Sequence, residues 1–157
     1  MVLSFIDENG YERFLGNLEP VSGLARAWPT YGDAGVGKVL PRSSWKPIDL
    51  SAYTSPVKDQ DGVGACNAFA TINAAEACRR MAGLPFVKLS TGHLYGKING
   101  QSDRGSMLED ALEEMLARGA CTAAKVPELA WRKGSWPAGV DEEAKSYRFL
   151  EAWTCPT

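Results

Sequence analysis

The chain has 157 residues, of which 45% are apolar and 23% charged, enough for one domain with a core of its own. A net charge of -2 with both signs interspersed and no basic run argues against a nucleic-acid footprint and a polybasic membrane patch. The start, Met-Val-Leu-Ser-Phe-Ile-Asp-Glu, lacks the positive and long apolar regions of a signal peptide, and no later stretch reaches membrane-span length, so a soluble, unsecreted chain is expected.

Residues 1–40 are punctuated by glycine and proline, with Asn9-Gly10 as a tight-turn signal and Phe14, Leu15, Leu18, Leu24 and Trp28 as scattered anchors. They read as a loop-rich arm on the surface of a main body that occupies 41–157. Within the arm, Gly32 to Lys38 has the Gly-x-x-x-x-Gly-Lys spacing of a phosphate-binding loop. Val39 stands where a hydroxyl should hold magnesium, and Pro41 blocks the helix that should follow, so nucleotide binding is rejected.

Pro56 to Ala70 is a glycine-containing loop that runs straight into good helix formers extending to Arg80. Phe69, Ile72 and Ala75 share one face of that helix and predict its buried stripe. Cys66 falls at the first turn, where unpaired backbone N–H groups and the helix dipole favour a thiolate, the nucleophilic form. Gln60 lies upstream, and Gly62 and Gly64 let the loop fold back so that its side-chain amide approaches Cys66, the arrangement of an oxyanion hole. A cysteine in an alanine-rich helix can instead be a small packed hydrophobe, the reading that suits Cys78. An isolated core cysteine has no need of Gln60 and two glycines before it.

Further along, Gly83-Leu-Pro85 predicts the end of this helix. His93, the chain's one histidine, reads as a surface or packing residue. Ser106-Met-Leu-Glu109 has the spacing of a capping box and predicts a helix from there to about Arg118, with Leu108, Leu112, Met115 and Leu116 inward and Gly119 as its stop. Trp131 and Trp136, in a glycine-proline loop, read as packing residues. Asp141 to Trp153 reads as a short helix or turn passing into an extended segment. Cys66, Cys78, Cys121 and Cys155 have wide, irregular gaps and no Cys-x-x-Cys, so neither a metal site nor a cofactor is expected.

Pro56-Val57-Lys58-Asp59-Gln60, the glycine spacer, Cys66, Ala68-Phe69 and Glu76 together resemble the active-site segment of papain-like cysteine peptidases. The lead-in from Leu40 through Trp45 to Asp49, the Leu89-Ser90…Leu94 segment, and Ala117-Arg-Gly-Ala-Cys121 with Val126-Pro127 resemble further stretches of the family, the last of them its bacterial and viral members. The resemblance implies an α+β class, here the mainly helical left-lobe half of the papain-like fold, with the strand-rich second lobe absent from this chain. It implies Cys66 as nucleophile, Gln60 in the oxyanion hole and Gly105 beside the substrate backbone. Secreted members place a disulfide cysteine where Val63 stands, so a reducing compartment fits, cytoplasmic or virion-associated. Asn67 replaces the Trp of the best-known members.

The family's catalytic His and Asn come from the lobe without a counterpart here, and His93 falls in the nucleophile's half. Two functions are therefore expected from the same residues. One is a peptidase acting on peptide or protein substrates, completed by a second lobe or partner protein that covers the exposed face. The other is an inactive module serving as a structural or docking component of a larger assembly, such as a bacterial or phage particle.

Overall fold

Helix α1, Cys66–Met81, forms where alanine and unbranched residues dominate, and it is the longest element of the structure. A computed structural model describes residues 4–6, 10, 12–14, 29 and 41–153. The Gly32 to Lys38 motif, most of the arm and Cys155 lie outside the described residues.

The expected stripe of α1 is buried: Ile72 is fully enclosed, and Phe69 and Ala75 nearly so. The helix stops as the sequence predicts. Gly83, at φ +73°, donates its N–H to the Arg80 carbonyl at 3.0 Å, and Leu84 donates to Arg79 at 3.0 Å, the double closure of a left-handed glycine cap. Helix α2, Thr91–Ile98, is opened by Ser90, whose hydroxyl accepts from the His93 N–H at 2.9 Å. Helix α3, Leu108–Ala117, packs on both α1 and α2. Leu89, Leu94, Tyr95, Ala111 and Met115 fill the space between the helices, each with no exposed surface.

A smaller cluster of Cys121, Val126, Val140 and Ala144 sits under α4, Val140–Ala144. A short 3-10 turn over Lys145–Tyr147 follows α4, and Phe149 then donates its N–H to Met115 at 3.0 Å, tying the last segment to α3. Among the described residues, strands are confined to a hairpin of β1, Ser4–Ile6, and β2, Glu12–Phe14, paired antiparallel with Phe5 opposite Arg13. Gly10, at φ +82°, lies between them, where the Asn9-Gly10 signal predicts a turn.

The start of α3 differs from expectation. Its cap is Met107, no side chain caps it, and the helix begins two residues after Ser106. Ser106 is buried instead, its carbonyl taken by the Asn67 amide at 2.6 Å and its hydroxyl without a partner. The tertiary bond to Asn67 thus holds Ser106 outside the geometry a capping box needs. On the same helix Met115 is fully buried, but Leu112 and Leu116 are half-buried and Leu108 is 42% exposed. The inward face is set by Ala111, Glu114 and Met115.

Candidate active site

Cys66 is the first residue of α1, with Ala65 as its cap. It is a free thiol with a partly exposed side chain, unlike fully buried Cys121. No side chain caps this helix end. Cys78, the second thiol of α1, is exposed, so the packing role expected of it does not hold.

The loop before Cys66 is built from successive tight turns. Val63 donates to the Gln60 carbonyl at 3.1 Å, Ala65 donates to Val63 at 2.8 Å, and Asp61 takes the left-handed conformation at φ 51°. Gln60 is half-buried. Upstream, the segment is fastened to α1 through Glu76, which is 1% exposed. Its carboxylate accepts from Ser55 Oγ, from Lys58 Nζ at 2.8 Å and from the Leu89 N–H at 2.7 Å. One buried acid therefore joins the Pro56–Gln60 segment, the middle of α1 and the strand-like Leu89, which bridges to Thr122.

The other wall is the loop from Asp103 to Ser106. Asp103 Oδ1 accepts from the Gly64 N–H at 2.9 Å and from Tyr95 Oη at 2.6 Å. Gly105, at φ +85°, donates its N–H to Tyr95 Oη at 3.2 Å. With the Asn67–Ser106 bond, these contacts bring the Cys66 loop and the Gly105 loop together across a shared edge. Asp103 and Tyr95 carry no local signal for this role, since the groups they join lie 39 positions apart between Gly64 and Asp103.

His93 is elsewhere. It is fully buried, its ring lies on Trp136 with centroids 4.8 Å apart, and Nε2 is 3.1 Å from Asp141 Oδ1. Two residues along a helix point about 200° apart. Tyr95 turns toward Gly64, so His93 faces away from the cysteine loop. Burial lowers the His93 pKa from its ordinary value of 6.5, opposed by the Asp141 bond. Trp136 packs as expected, its Nε1 donating to the Ala130 carbonyl at 2.6 Å, and Trp131 meets Tyr95 edge-on at 6.0 Å. Among the described residues no helix is long and apolar enough to cross a membrane, and no cluster of three or more His, Cys, Asp or Glu is arranged to hold a metal ion.

No protein-family model matches the sequence, and no curated protein does. Solved structures do. The chain is similar to xylellain, a cysteine protease from Xylella fastidiosa, with a TM-score of 0.55 and 17% identity over 82% of this chain and 58% of that one. It is also similar to the digestive procathepsin L2 proteinase of Tenebrio molitor larval midgut, with a TM-score of 0.57 and 21% identity over 73% and 38%. Procathepsin L 3 of the same larval midgut gives a TM-score of 0.52 and 22% identity over 65% and 36%. The fold is thus the helical left lobe of papain-like cysteine proteases, and the chain spans between 36% and 58% of the length of these three structures.

Proposed function

We propose that this chain is the nucleophile-bearing lobe of a cysteine peptidase, with Cys66 attacking the peptide carbonyl and Gln60 and the Cys66 backbone N–H holding the oxyanion. Gly105 runs beside the substrate backbone. The observation that carries the reading is the position of Cys66, a partly exposed free thiol on the first residue of α1, on a fold shared with cysteine proteases. In this reaction a base takes the Cys66 thiol proton, the thiolate adds to the carbonyl carbon, and the protonated base then gives that proton to the amine as the C–N bond breaks, an acid–base role worth about 10²–10⁴-fold. The one histidine is buried against Asp141 and Trp136, so the base comes from a complementary lobe or a partner protein. Trp45, Ile48 and Val57, exposed by 64%, 81% and 103%, supply apolar surface for that contact.

A second reading is an inactive papain-like module docked in a larger assembly, such as a bacterial or phage particle. The engagement of His93 favours it, because it leaves Cys66 without a base of the chain's own. Brief iodoacetamide labelling near pH 7, read by peptide mass spectrometry, tests the first reading. Cys66 is expected to label well ahead of Cys78 and Cys121. Cys121 is the internal control, since burial pushes its thiol up to about 12. The chain alone is expected to release no product from a peptide substrate. Equal labelling of Cys66 and exposed Cys78 favours the docking module. Hydrolysis abolished by both Cys66→Ser and His93→Ala would place the base on His93 and overturn the need for a second lobe.

A further inference from the structure

The two loops that flank Cys66 meet at one carboxylate oxygen. Asp103 Oδ1 receives the Gly64 N–H at 2.9 Å and the Tyr95 hydroxyl at 2.6 Å, and the same hydroxyl oxygen receives the Gly105 N–H at 3.2 Å. The result is a continuous chain, Gly64 N–H to Asp103 to Tyr95 to Gly105 N–H. It runs from two residues before the nucleophile to the glycine assigned to the substrate edge.

The junction has little slack. A Cβ on Gly64 would come within 3.1 Å of the Gly105 nitrogen and 3.3 Å of both Asp103 Oδ1 and Tyr95 Oη, so a side chain there would press on every member of the chain. Gly64 and Gly105 are both buried and Tyr95 is fully enclosed. A buried backbone N–H left without an acceptor is costly, so the loops are held in this register. Burial and the neighbouring Asp103 raise the Tyr95 pKa further above neutrality, so the hydroxyl is a donor throughout the neutral range.

We infer that Asp103 and Tyr95 are positioning residues, which fix the Gln60–Cys66 loop against Gly105 so that oxyanion donors, nucleophile and substrate edge form one rigid frame. The inference rests on the peptidase reading above. It assigns Asp103 and Tyr95 no contact with substrate. Their effect is on alignment, and misplacement by about 1 Å costs about 10²-fold in well-oriented reactions.

The test compares two electrophiles on the full chain. Iodoacetamide needs only the thiolate, whereas a peptidyl chloromethyl ketone, which forms a thioether with Cys66 and releases chloride, also needs the oxyanion donors and the Gly105 edge. In the unsubstituted chain the peptidyl reagent is expected to react faster. Asp103→Ala and Tyr95→Phe are expected to slow the peptidyl reagent about 10- to 100-fold while iodoacetamide changes less than about threefold. Asp103→Asn, which keeps an oxygen acceptor in place, is expected to restore most of the difference. Equal slowing of both reagents, or no rescue by Asp103→Asn, overturns the positioning role. If the unsubstituted chain shows no preference for the peptidyl reagent, the peptidase reading fails. Amide hydrogen exchange at Gly64 and Gly105 then judges the frame separately: slow exchange that becomes fast in Asp103→Ala supports it, and fast exchange in the unsubstituted chain overturns it.

Discussion

His93 enters the core neutral, and that choice has a pH signature. Its pKa is lowered chiefly by burial, so the unfolded chain takes up a proton near 6.5 while the folded chain does so only at lower pH. Between those values the unfolded state holds more protons, and stability must fall as the pH falls. The full contribution is present above about 6.5. Asp141 is also lowered, chiefly by the Lys97 ammonium at 2.6 Å, but its window lies below its ordinary 3.8 and does not shape the slope above it. Urea midpoints measured from pH 7.5 to 5 are expected to drop for the natural chain and to flatten for His93→Gln, which retains an amide for Asp141 but no titration. Parallel curves would show that His93 does not set this slope. Sequence leaves His93 open between surface and packing, because Trp136 and Asp141 reach it from more than 40 positions away. The position of Cys66 at the start of α1 was legible for the opposite reason: local helix-forming neighbours set it.

At the scale of elements, α1 could be read end to end, since its start, stripe and glycine stop are all local. The start of α3 could not, because the Asn67 amide claims the Ser106 carbonyl and the capping box never closes. Likewise the Gly92 and Gly96 spacing on α2 is uninformative until the loop of Pro127 to Trp136 is seen lying against it; a Cβ on Gly96 would come within 2.1 Å of the Trp131 carbonyl oxygen. The most enclosed ion pair among the described residues is Lys58 with Glu76, whose side chains are 4% and 0% exposed. Removing one partner leaves a buried charge unpaired, so Lys58→Met is expected to lower unfolding free energy by about 3–5 kcal/mol. Adding Glu76→Met should recover part of that loss in denaturant titrations. A loss under about 1 kcal/mol for Lys58→Met would mean that Ser55 and the Leu89 N–H satisfy Glu76 alone.

For the whole molecule, the helical lobe was visible in the sequence because the segments that resemble papain-like peptidases fall along one continuous stretch, while the joining of its loops through Asp103 was not. The described body has a dense centre of three helices and a thin periphery. Residues 41–54 are exposed throughout, with one 3-10 turn over Arg42–Ser44 and an anchor where Arg80 Nη1 donates to the Thr54 carbonyl at 2.8 Å. Such backbone opens at little cost, whereas α1 opens only with the core. A protease reads that difference directly. Among the sites within residues 41–153, brief trypsin treatment is expected to cut first after Arg42, since Lys46 is shielded by the proline that follows it, and to spare Arg79 and Arg80 in the last turn of α1. Early cleavage at Arg79 would show that the helix frays before the coil does. A partner seated on Trp45 and Ile48 would slow the cut at Arg42, so the digestion rate is also a footprint of whatever covers that edge.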